Sequence, residues 1–252
     1  MIFRSIVFSA AVAGFIVGAL ITVVQQFGTV PLILKGETYE KAAEKAAATS
    51  SIDKASSATT VGHADHDHAG HDHAEAWEPR DGWERNSYTA AANILTAIGF
   101  ALLLSGIFAL RDHAVTWHEG LLWGLGGFAV FTLATGLGLP PELPGIPAAP
   151  LLARQIWWVA TAVATAGGLG LVFLKRAPWA AVLGIALIIA PHIVGAPQLD
   201  DVHTNVPETL SHQFVVVTTM TSLLFWSLLG SLSSLAYRYF SSPAPAVIRA
   251  GQ

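Results

Sequence analysis

The chain has 252 residues, of which 53% are hydrophobic and 12% charged, with a formal net charge of −4 and no cysteine. Soluble domains carry about 25% charged residues, so half that content points to a membrane protein. The lack of cysteine excludes disulfides, thiolate zinc sites and iron–sulfur clusters. The modest charge gives no basis for nucleic-acid binding, and two methionines are too few for a thioether route for copper(I).

The first apolar run is Ile6–Val24, preceded by Arg4. It exceeds the roughly 7–15 residues of a signal-peptide core and no A-x-A cleavage pattern follows it, so residues 1–29 read as a retained transmembrane helix ending near Gln25, Gln26 and Phe27. Ala10, Gly14 and Gly18 recur at every fourth position, which predicts a face that a neighbouring helix approaches closely.

Residues 30–87 are polar and extramembrane. Glu37–Ala48 is rich in helix formers, with Glu37 four residues before Lys41. This predicts a solvent-side extension of the first helix that Pro31 bends or interrupts. A Ser/Thr/Ala linker over residues 49–60 leads to HADHDHAGHDH, His63–His73, which holds five of the ten histidines. Imidazole and carboxylate are ligands of borderline divalent ions. The candidate metal ligands are therefore His63, Asp65, His66, Asp67, His68, His71, Asp72 and His73. With no apolar face to bury, the tract predicts a solvated loop that wraps an ion; the alternative is a low-complexity spacer with incidental affinity. Trp77, Trp83 and Tyr88 then suit a membrane–water interface.

Residues 88–240 carry five more apolar runs: Thr89–Leu110, Gly120–Leu139, Ile156–Leu174, Trp179–Pro197 and Phe214–Ala236. Each is near the ~20 residues that cross a bilayer core. The expected fold is all-α, a polytopic bundle of about six transmembrane helices. Five is the alternative, because Pro191 interrupts the fifth run, and residues 241–252 form a tail. Small-residue faces are predicted at Gly120/Gly124 and at Ala162/Ala166/Gly170. The Pro-rich stretch Pro140–Pro150 must be a loop.

Lysine and arginine in short loops set orientation. With both termini inside, Arg4, Arg111, Lys175, Arg176 and Arg238 are cytoplasmic, and Arg154 alone lies in a short outer loop. The His tract and the acidic segment Asp200–Glu208 then face outward, which suits capture for uptake. His192 sits in an apolar run directly after Pro191, and an ionisable residue within a span is a functional candidate. The alternative is a neutral histidine bonded to a neighbouring helix. Gln25, Gln26, Glu142, His192, Gln198, Asp200, Asp201, His203, Glu208 and His212 together outline an outer vestibule and transport pathway, or else simply mark helix ends. His113 and His118, with Asp112 and Glu119, form an inner exit site or an ordinary interfacial loop.

There is no G-x-x-x-x-G-K-[ST], G-x-S-x-G or H-E-x-x-H, so no enzyme is expected. A divalent cation moving inward gains about 4.6 kcal/mol per 100 mV, twice the single-charge value, so uptake does not require ATP hydrolysis by this chain.

The order of segments resembles a known family. An N-terminal span ends in QQFGTVPLILKGETYE; a His/Asp tract and AWEPRDGWER follow; then come GLPPELPG, RQIWW, PHIVGAPQ and a last span with LLFW. These are similar to the predicted cobalt transporter subunit family CbtA over nearly the whole chain, most specifically in VPLILKGETYE, EAWEPRDGWER and GLPPELPG. The resemblance implies a multi-pass bacterial inner-membrane protein for cobalt uptake, often described with five spans. It also implies a link to cobalamin supply and a small single-span partner with a His-rich end, CbtB-like. By matching positions it adds Glu37, Glu78, Glu142, His192 and Gln198 to the His tract as metal-handling candidates. The cargo is a divalent transition metal, with cobalt first and nickel, zinc or copper as alternatives. Two other readings stand beside transport: a metal-delivery accessory protein, and a haem-binding membrane protein using His192 with His212 or His113.

Overall fold

The structure is a computed structural model describing residues 2–57, 79–111, 115–175, 177–199 and 203–242, with the backbone alone from residue 50 to 57. The described residues form seven helices: α1 (Ile2–Phe27), α2 (Thr29–Ser57), α3 (Trp83–Ala109), α4 (Trp117–Gly138), α5 (Leu151–Leu174), α6 (Pro178–Val194) and α7 (Glu208–Ser241). There is no strand among them, as expected for an all-α membrane bundle.

α1 and α2 are nearly continuous. The amide of Gly28 still donates to Val24 O at 3.1 Å, and α2 starts at the next residue. Pro31 therefore sits in the first turn of α2, where its missing N–H is no loss. The carbonyl its ring would meet four residues back belongs to Phe27, the last residue of α1, so the break falls ahead of the proline instead of at it.

Five helices, α1, α3, α4, α5 and α7, are long and apolar enough to cross a membrane. α6 has 17 residues and is about 25 Å long, short of a ~30 Å hydrocarbon core. It nevertheless packs along α5 in the opposite direction. Gly184 meets Gly168 midway, Pro191 O accepts the Trp157 indole N–H at 3.2 Å, and Ala196 lies beside Gly138 at the end of α4. The described residues thus pass six times between the two ends of the bundle, five times on helices long enough to cross a membrane. At one end Ser5 donates to Phe240 O and Phe108 packs near Tyr237. At the other, Gln26 meets Asn86 and Thr204 meets Gly145.

The core joins α1, α3 and α7 through Ala10, Val17, Ile21, Ala97, Ala101, Leu104, Phe108, Trp226 and Leu229, all buried, and Trp123, Phe128 and Phe131 of α4 pack against it, partly buried. Helices close on one another where glycine removes the side chain. Gly14 and Gly18 lie against the backbone of Ile98 and Ile94, and Gly120 and Gly124 lie against Gly230 and Trp226. These are the first two predicted small-residue faces, and close backbone approach is how helices associate in lipid. The third prediction is corrected. Gly170 has open space and Ala166 is exposed, whereas Gly168 meets the Gly184 carbonyl of α6. The buried stripe of α5 is Trp157, Thr161, Thr165 and Gly168 with Ala162 beside it, because the glycine of the partner helix selects which small residue is used.

Residues Ala129–Leu133 of α4 form a π turn. Phe131 within it stacks on Trp226 (5.5 Å between ring centres, 7° between planes) and lies 5.1 Å from Phe100 and 6.1 Å from Trp158. Gly127 leaves the space the Trp226 indole occupies. An aromatic cluster therefore fills the middle of the bundle and ties α5 to it.

A second apolar cluster caps the opposite end from the termini. Leu32 of α2, Leu143 of the Pro-rich loop, Val206 just ahead of α7, and Leu210 and Phe214 in its first turns bury one another, with Tyr39 and Ile146 at their edge. Gly36 lets α2 lie on Leu143 and Pro144. Gly145, at φ 83°, takes a conformation suited to glycine and passes close to Glu40. Beyond Glu40 every side chain of α2 as far as Thr49 is exposed, so the helix leaves the body of the protein there.

Candidate metal-handling site

The His tract, with all eight of its candidate ligands, lies outside the described residues, as do Glu78, Asp112, His113, Asp200 and Asp201. What the structure places are the two elements that lead to and from the tract. α2 and the start of α3 are held together by Arg85. Its Nη1 donates to Glu37 Oε2 at 3.2 Å and to Asp81 Oδ1 at 3.1 Å, and its Nη2 pairs with Glu37 Oε1. Arg80 adds a contact to Glu84 at 3.1 Å. A guanidinium fork matched to a carboxylate is the strong geometry for such a pair. Glu37 is thus engaged by a cation of the chain itself.

The expected vestibule residues resolve into separate groups. Gln25 and Gln26 tie α1 to α3: Asn93 Nδ2 donates to Gln25 Oε1 at 2.7 Å and to Thr22 Oγ1 at 3.1 Å, and Gln26 Nε2 donates to Asn86 Oδ1 at 3.3 Å. Amides that satisfy each other between helices are the usual neutral solution at this depth. Glu142 pairs with Arg154 at 3.3 Å across the Pro-rich loop and the first turn of α5. His192 is half-buried in the last turn of α6, edge-on to Trp157 with ring centres 5.8 Å apart. His203 lines a cavity of about 360 Å3 with Ala43, Gly145, Thr204 and Asn205. His212 stands 3.8 Å from Glu208, both largely exposed, and Gln198 is exposed. At the other end His118 is exposed beside Trp117, while Glu119 completes the capping box with Thr116 and reaches Arg111 at 3.8 Å.

Among the described residues no three His, Asp or Glu side chains are placed to hold one metal ion. Among the described residues the buried polar side chains are all hydroxyls: Ser5, Ser9, Thr29, Ser105, Thr135, Thr161, Thr165, Thr221, Ser233 and Ser234. Sequence reasoning missed Arg85, Asn86 and Asn93. Each finds its partner on another helix, the Arg85–Glu37 pair across 48 residues, and no local pattern signals that.

This architecture defines a multi-pass helical membrane protein. One of its ends gathers charged and amide side chains around the exit and return of a His/Asp-rich segment. The family model described as probable cobalt transporter subunit (CbtA) matches residues 3–238, and the chain belongs to that family. The match runs from the first turn of α1 into the last turn of α7. No curated protein and no solved structure matches the chain. The family is one of transporter subunits, not of enzymes, and a subunit works with partners.

Proposed function

We propose that this chain is the membrane subunit of an uptake system for a divalent transition metal, with cobalt as cargo. In this reading it sits in the bacterial inner membrane with both termini in the cytoplasm, and its His/Asp tract collects ions on the outer side. One observation carries it. The two helices that flank the tract are clamped by Glu37 and Arg85 at one end of the bundle, whereas Arg4, Arg111, Lys175 and Arg238 gather at the other. Basic residues in short loops stay in the cytoplasm, so the tract falls outside. The tract raises the local ion concentration, and the membrane potential favours inward movement. A single-span, His-rich partner of the CbtB type completes the system.

The test is cellular metal content across a panel of divalent ions, with and without the chain. Cobalt rises with the chain, and the gain at low external cobalt shrinks when the five tract histidines become alanine. No change in any ion would contradict transport.

A second reading, delivery of metal to another membrane protein, is favoured by one observation. Hydroxyl groups alone are buried among the described polar side chains, and aromatic rings fill the bundle centre. Cobalt entry into liposomes holding this chain alone supports a permease; entry only with a partner present supports delivery.

A further inference from the structure

At the end of the bundle that carries α2, the end of α4, the Pro-rich loop and the first turns of α5 enclose a cavity of about 290 Å3. Its rim is polar, with Glu142, Arg154 and Gln155. Its wall is apolar, with Leu151, Trp158 and Val159. Arg154 Nη2 stands 3.3 Å from Glu142 Oε2, and each side chain is about one-third exposed. Leu151, Trp158 and Val159 are themselves exposed on a membrane-crossing helix. The cavity therefore opens toward hydrocarbon on one side and toward the headgroup layer on the other.

We propose that this cavity seats the headgroup of a phospholipid bearing a primary amine. The argument is charge complementarity. The rim offers one fixed cation and one fixed anion side by side, and the ligand that matches both is a zwitterion whose phosphate and ammonium are joined by a short link. The Arg154–Glu142 contact engages one of the five guanidinium N–H donors and one of the roughly four carboxylate acceptor positions. Arg154 takes the lipid phosphate, and Glu142 accepts N–H bonds from the ammonium. An anionic lipid satisfies Arg154 but meets Glu142 with like charge. A quaternary amine brings no N–H for Glu142 to accept. The volume lies just below the 300–1,000 Å3 of pockets that enclose whole small molecules, which suits a headgroup with its acyl chains outside along Leu151 and Val159. Trp158 at the mouth is a side chain favoured at this depth.

Native mass spectrometry of the purified, delipidated chain tests this with phosphatidylethanolamine, phosphatidylcholine and phosphatidylglycerol of equal chain length. Phosphatidylethanolamine is expected to bind up to about fivefold more tightly than either, the upper value for one partly exposed ion pair. Glu142→Gln removes that preference, and Arg154→Gln weakens retention of all three lipids, with thermal unfolding checking that both variants fold. Soluble phosphoethanolamine in tenfold excess leaves the lipid bound. Equal retention of the three lipids by the unmodified chain would overturn the proposal without any variant. So would preference for phosphatidylglycerol, an unchanged preference in folded Glu142→Gln, or displacement by the soluble headgroup.

Discussion

Arg85 and Glu37, 48 residues apart, meet through both arms of the guanidinium at the base of the excursion that carries the His tract. The pair is partly exposed, with side chains 30% and 19% accessible, so solvent screens it less than a surface pair and more than a buried one. A double-mutant cycle with Arg85→Ala and Glu37→Ala should return a coupling of about 1 kcal/mol in detergent unfolding. Arg85→Lys should lose most of that coupling, because an ammonium cannot engage both carboxylate oxygens in the same plane. Additive single effects would show that the clamp contributes nothing.

The helix crossings predict a sharp contrast among glycines. A side chain at Gly14 would strike the Ile98 backbone, and one at Gly168 would strike the Gly184 carbonyl, whereas Gly99 and Gly170 face open space. Gly14→Val and Gly168→Val should each destabilise by about 1–3 kcal/mol, the usual range for overpacking. Gly99→Ala and Gly170→Ala should be neutral or stabilising by up to about 1 kcal/mol through helix propensity. Unfolding in mixed micelles measures all four. Equal effects at Gly168 and Gly170 would contradict the observed face of α5.

The contrast also marks how far the sequence could be read. The apolar runs located every crossing helix, but their ends were too short. α3 begins at Trp83 instead of Thr89, and α7 covers Glu208–Ser241 instead of Phe214–Ala236. Hydropathy registers contact with lipid, while these outer turns are helical and polar. The faces of α1 and α4 were legible because their glycines recur on one stripe; that of α5 was not, because Gly184 on another helix decides it. The π turn at Ala129–Leu133 has no signature in composition. For the candidate site, residue types were legible and partnerships were not. Gln25 with Asn93, Glu37 with Arg85 and Glu142 with Arg154 are all contacts between distant segments, and each turns a proposed metal-facing group into one with a partner inside the protein.

The His/Asp tract itself should not choose cobalt. A set of imidazoles and carboxylates without enforced geometry follows the general order in which copper(II) and nickel(II) bind more tightly than cobalt(II). Isothermal titration of a peptide covering residues 61–75 should give that order, with affinity falling below about pH 6.5 as the imidazoles protonate. Tighter cobalt binding by the peptide would move selectivity into the tract and away from the membrane part.

The direction of transport rests on which side of the membrane α2 emerges. The chain has no cysteine, so a single engineered thiol reports its own side without background. Glu44→Cys on the exposed part of α2 and Ser242→Cys at the far end of α7 should be compared in intact cells with a membrane-impermeant maleimide. Labelling at position 44 in intact cells, with position 242 reacting only after permeabilisation, is the predicted result. The reverse pattern would place the metal-collecting end in the cytoplasm and contradict uptake.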